Sequence, residues 1–133
     1  MIAAEILKSN NIRPSMIRVM IYDFLKGTDV HPTVDEIYNE LAQKIPTLSK
    51  TTVYNTVKLL ADSGLSKTIT IDKTQVRYDA DISMHGHFLC EKCKNVYDFK
   101  LDSAFINDLE GFDLSFKEVY YGGICRKCNK KFN

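Results

Sequence analysis

Apolar residues in the first half of the chain recur at helical spacing in three stretches. Residues 15–26 carry Ile17, Met20, Ile21, Phe24 and Leu25 on one stripe, and Gly27 follows where a left-handed C-terminal cap belongs. Thr33 and Glu36 have the spacing of a capping box, and Val34, Ile37, Leu41 and Ile45 run on from it to Pro46, which ends the helix. A third helix is expected over residues 49–63, with Val53, Val57 and Leu60 turned inward and Gly64 as its stop. At about 100° per residue its opposite face gathers Thr51, Tyr54, Asn55 and Lys58. Alternation then replaces the helical period: residues 67–71 and 75–79 flank Asp72, Lys73 and Thr74, the pattern of a β-hairpin. Three helices and a hairpin predict a winged helix-turn-helix.

Beyond residue 80 the pattern changes. Residues 96–101 and 116–121 are strand-like, and between them Asp102 or Ser103 can cap a short helix ending at Gly111. The expected fold is therefore α/β in the α+β sense, a winged helix-turn-helix over residues 1–80 followed by a small α/β lobe over residues 81–133. A lobe of that size cannot rely on a hydrophobic core alone and needs a metal, a partner subunit or both.

Composition narrows the class. The 133 residues are 44% hydrophobic and 26% charged, proportions that exclude disordered and fibrous chains. No apolar run reaches the roughly 18 residues of a membrane span. Glu5 and Lys8 interrupt the start before a secretory apolar region develops, so a cytoplasmic, reducing location is expected. The net charge of +1 carries no signal for nucleic acid, but residues 43–77 hold six basic and two acidic side chains. One face can be basic on a nearly neutral protein.

All four cysteines lie in the last third, as Cys90-x-x-Cys93 and Cys125-x-x-Cys128. Two such turns can close a thiolate tetrahedron around one structural Zn2+ per subunit. Paired disulfides and a thioredoxin-like redox motif are the alternatives. The first suits an oxidising compartment, and the second uses one such pair at a helix start rather than two in strand and turn context. His85 and His87, two apart on a strand, point to the same side, with Asp79 upstream and Asp98 on the next strand. Imidazoles with carboxylates suit Fe(II), Mn(II) or Zn(II). Taken singly, His-x-His is also a common surface pair, His31 is a loop residue before a helix cap, and Thr51, Thr52 and Tyr54 are a solvated helix face.

Four runs change that balance: residues 31–38 (HPTVDEIY), 48–57 (LSKTTVYNTV), 77–79 (RYD) and 85–93 (HGHFLCEKC), completed by 122–128 (GGICRKC). In order and combination they resemble the ferric uptake regulator (Fur) superfamily across nearly the whole chain, and within it the peroxide-sensing PerR branch. Asp98, where iron sensors usually carry Glu, and Asn55, where they commonly carry Arg, are the branch marks. The resemblance implies a homodimeric repressor that is not an enzyme and binds palindromic double-stranded operator DNA, with the DNA-binding domain at residues 1–80 and the dimerisation and metal-binding domain at residues 81–133; no membrane partner is expected. It places one regulatory Fe2+ or Mn2+ per subunit on His31, Asp79, His85, His87 and Asp98, and nominates His31 and His85 as the residues oxidised by hydrogen peroxide. Lys50 and Lys58 are expected at phosphates, Tyr54 and Asn55 at base edges, and Thr51 and Thr52 beside them. Two other readings stay open: a Fur-type repressor sensing iron, manganese or zinc level, and a small non-haem metal enzyme, since two histidines and a carboxylate can form a facial triad.

Overall fold

A computed structural model of the chain describes residues 2–81, 85–101, 108–114 and 117–131. It divides into two units, Met1–Ile82 and Ser83–Asn133.

The first unit holds four helices rather than the three expected: α1 Ala3–Ser9, α2 Met16–Lys26, α3 Val34–Leu41 and α4 Lys50–Asp62. Helix α1 has seven residues, too few for a 3.6-residue period to stand out, yet it buries Leu7 completely. Ser15 caps α2 by accepting the Arg18 N–H. Gly27 is not left-handed, with φ at −92°; its N–H bonds the Asp23 carbonyl, which a Cβ there would approach to 3.3 Å. The capping box at α3 is complete, with the Glu36 N–H to Thr33 Oγ1 at 3.2 Å and the Thr33 N–H to Glu36 Oε1 at 3.1 Å. That helix stops at Leu41 instead of running on to Pro46. The Lys44 and Ile45 N–H groups share the Leu41 carbonyl, and a residue before proline is pushed away from helical backbone.

Ser49 caps α4, and Gly64, at φ +78°, ends it while Leu65 bonds back to the Leu60 carbonyl, a Schellman-type stop. Leu7, Ile21, Leu25, Ile37, Val53, Val57 and Leu60 form the centre of one core, which Tyr78 joins from the hairpin. The hairpin strands β1 Lys67–Ile69 and β2 Arg77–Asp79 are shorter than the alternation suggested. The Asp72 carboxylate takes both the N–H and the hydroxyl of Thr74, forming a local turn that draws its neighbours out of the ladder.

In the second unit, β3 His85–Cys90 lies between β4 Val96–Lys100, antiparallel, and β5 Tyr120–Gly123, parallel. The last strand falls later than residues 116–121, because its Gly122 and Gly123 are poor strand formers and masked it. Phe116 and the expected cap at Asp102 or Ser103 lie outside the described residues. Side-chain parity divides β3. His85 and His87 share one face with Asp98 and Tyr120, while Gly86 and Phe88 share the other with Tyr97, Phe99 and Tyr121.

Candidate metal centres and a polar helix face

Parallel pairing of β3 with β5 sets Cys90 opposite Gly123, so both Cys-x-x-Cys turns leave the same end of the sheet. The four sulfurs lie within 4.8 Å of one another, Cys93 Sγ and Cys125 Sγ at 3.8 Å, and all four residues are thiols. Four sulfurs bonded at about 2.3 Å to one tetrahedral zinc are roughly 3.8 Å apart, so spacing and chemistry both fit. Backbone N–H groups prepare the anions. That of Cys93, reinforced by that of Cys125, each 3.4 Å from Cys90 Sγ, outweighs burial and lowers the Cys90 thiol to about 6. The Tyr97 hydroxyl, donating to Cys125, holds that thiol down and is itself pushed up to about 12. Cys128, hydrogen-bonded first to Cys125, is pushed up to about 12, because a further thiolate among anions is unfavourable without a cation. A divalent ion removes that conflict. This is a zinc site with no open position.

The opposite parity of the sheet carries nitrogen and oxygen donors. His85 Nε2 and His87 Nε2 stand 3.0 Å apart, and Asp98 Oδ1 lies 3.5 Å from the first and 3.3 Å from the second. Ligands about 2.1 Å from an octahedral ion are roughly 3.0 Å apart when adjacent, so these three atoms suit neighbouring corners of one coordination sphere. Gly86 makes the geometry possible: its cross-strand partner Phe99 lays its ring over the Cα, where any Cβ would collide. Asp98 was placed correctly on the strand next to the histidine pair.

Within the first unit, His31 Nε2 is 3.5 Å from Asp79 Oδ2, and both residues are buried. His31 has φ +54°, a left-handed conformation that costs a non-glycine residue about 1 kcal/mol. It is held there: Arg77 Nη1 donates to the His31 carbonyl at 3.2 Å, and the Tyr78 N–H donates to the Pro32 carbonyl at 3.0 Å. Sequence spacing alone gives no hint of that brace.

On α4, Thr51, Tyr54, Asn55 and Lys58 are exposed on one face, while Val53, Val57 and Leu60 are buried on the other. Thr52 is half-buried, its hydroxyl 2.9 Å from that of the Ser49 cap. Lys50 pairs with Asp35 at 3.3 Å and lies over the Tyr38 ring, an exposed pair that a competing anion can displace. Sequence reading missed Arg13 and Arg18. With Ser15, Thr52 and Asn55 they line a cavity of about 420 Å³ where the start of α2 meets α4. Their signal is local: both flank the Ser15 cap, at a helix end that favours anions.

A model of the ferric uptake regulator family matches residues 9–110. The chain belongs to this family. It is 35% identical over 136 residues to the peroxide operon regulator of Bacillus subtilis (strain 168), a match covering 98% of this chain and 94% of the relative. The ferric uptake regulator of Pseudomonas aeruginosa with manganese shares the fold at a TM-score of 0.78 and 20% identity, with 94% and 98% of the two chains covered. PerR from Streptococcus pyogenes, described as a peroxide sensor and gene regulator, has 29% identity and a TM-score of 0.55 over 94% of this chain and 89% of its own. The chain is a metal-dependent regulator of the ferric uptake regulator family, with a four-cysteine zinc site and a regulatory site of histidines and aspartates. Among the described residues no helix is long and apolar enough to cross a membrane.

Proposed function

We propose that the protein is a homodimeric repressor that binds palindromic operator DNA when its regulatory metal is loaded and releases it when hydrogen peroxide oxidises a ligand. The observation that carries this reading is the presence of a nitrogen and oxygen donor set in each unit, His31 with Asp79 in one and His85 and His87 with Asp98 in the other. One ion bound by all five ties the DNA-binding unit to the dimerising one. Dimers reading two half-sites one helical turn or its multiples apart need a fixed spacing between recognition helices, and such a tie supplies it. The ion then acts as an allosteric ligand that favours the DNA-binding arrangement.

Helix α4 is the reader: Tyr54 and Asn55 reach base edges, Thr51 and Thr52 lie alongside, and Lys50 and Lys58 meet phosphates. Arg13 and Arg18, beside Ser15 at the start of α2, add phosphate contacts on the same side. Exposed Phe112, Leu114, Tyr121 and Ile124 in the second unit give the dimer an apolar surface to bury.

When bound, Fe(II) would catalyse the cleavage of peroxide far more readily than Mn(II), the two electrons coming in net from an imidazole ligand. Of the five ligands, His31 and His85 are the ones that react. An imidazole C–H carbon gains one oxygen atom, the other peroxide oxygen leaves as water, and the altered ring is a poorer ligand. The likeness to a peroxide operon regulator and to PerR favours this chemistry over sensing of metal level alone. The test is a mobility shift on promoter DNA. Mn(II)-loaded protein is expected to retard it with or without peroxide, and Fe(II)-loaded protein only without. Equal behaviour of the two metals under peroxide would reduce the reading to a metal-level repressor.

A further inference from the structure

A buried guanidinium on the second strand of the hairpin has work to do at the metal site. Arg77 is only 7% exposed, and besides the His31 carbonyl at 3.2 Å it meets Glu36 Oε1 at 3.6 Å and Asp72 Oδ2 at 3.8 Å. Those three acceptors belong to the ligand loop, the first turn of α3 and the turn of the hairpin. We propose that Arg77 is a positioning residue for His31, fixing the left-handed backbone of the ligand loop and so setting the His31 imidazole against Asp79.

Strand β2 makes the arrangement with three consecutive residues. Arg77 and Asp79, two apart, share a face. The first grips the backbone of residue 31 and the second meets its imidazole, while between them the Tyr78 N–H secures the Pro32 carbonyl. A planar fork with five donors can serve acceptors lying in different directions, which the ammonium of a lysine does less well. The two carboxylates compensate the buried charge, and each is anchored. Glu36 completes the capping box of α3, and Asp72 closes the turn around Thr74. The same cation therefore joins the ligand loop to the helix-turn-helix and to the hairpin. Displacement of His31 is felt at both elements that face DNA.

This inference rests on the reading that His31 is a metal ligand, and the test separates the two. Mn(II) affinity is measured by competition with a fluorescent chelator on full-length, zinc-loaded protein carrying Arg77→Met, His31→Ala or both. Arg77→Met is expected to weaken Mn(II) binding about tenfold or more, as loss of a group that orients a ligand does, and to add less than about twofold once His31 is alanine. Asp72→Asn keeps the acceptor for Thr74 while removing a charge from Arg77, so it weakens binding less but with the same dependence on His31; it decides the matter if Arg77→Met does not fold. Arg77→Met or Asp72→Asn without effect, or an equal effect with and without His31, would overturn the positioning role alone. His31→Ala without effect on Mn(II) would overturn the ligand reading and the inference with it.

Discussion

At the scale of single residues, a glycine and a tyrosine shape the metal sites without offering a ligand. Gly86 separates the two histidines and lets the Phe99 ring lie on the strand, so Gly86→Ala forces the ring away from β3, beside the histidine pair. The expected result is weaker Mn(II) binding with zinc still at one per subunit, checked by metal analysis and chelator competition. Tyr97 donates to the Cys125 sulfur. Tyr97→Phe leaves that thiolate more basic and more nucleophilic, so zinc is expected to pass to a strong chelator up to about tenfold faster without any loss of stoichiometry. Both effects were invisible in sequence, since neither residue has ligand chemistry and their action depends on strand register. The clusters of cysteines and of histidines were foreshadowed by spacing, because Cys-x-x-Cys and His-x-His encode turn and strand geometry directly, whereas His31 was nominated only through the family resemblance.

At the scale of elements, α4 carries the DNA-binding proposal. Its buried stripe was readable from spacing, and so was the polar face opposite, while the Ser49 cap emerged only from the structure. Lys58→Ala is expected to lower the salt dependence of operator binding by about one unit of slope, as loss of a single phosphate contact does. Asn55→Ala is expected to change sequence preference instead. Unchanged binding to both specific and random DNA in the two variants would remove α4 as the reader. Other elements were less legible for identifiable reasons. Helix α1 is too short to show a period, β5 is disguised by Gly122 and Gly123, and α3 was drawn too long because Ile45 stays buried after the helix has ended. In each case a burial pattern persisted or vanished independently of the hydrogen bonding that defines the element.

At the scale of the whole molecule, the two units differ in self-sufficiency. The first has a core of its own around Val53, Val57 and Leu60, whereas the second is a three-stranded sheet closed by cysteines. Structural zinc is folding energy for so small a unit. Stripping zinc is expected to expose the amides of β3 and β4 to rapid hydrogen exchange while α2 to α4 stay protected; a protected sheet in zinc-free, reduced protein would show that the cysteines are dispensable. In the proposed function the regulatory donors come from both units, so that a metal would govern DNA binding and oxidation of one ligand would end it. The most direct test is peptide mass spectrometry of the protein–DNA complex after mild peroxide, with Fe(II) or Mn(II) bound. One added oxygen atom on His31 or His85, appearing in step with DNA release and only with Fe(II), is the predicted result. DNA release with oxidation confined to the cysteines, or with no oxygen added anywhere, would contradict it.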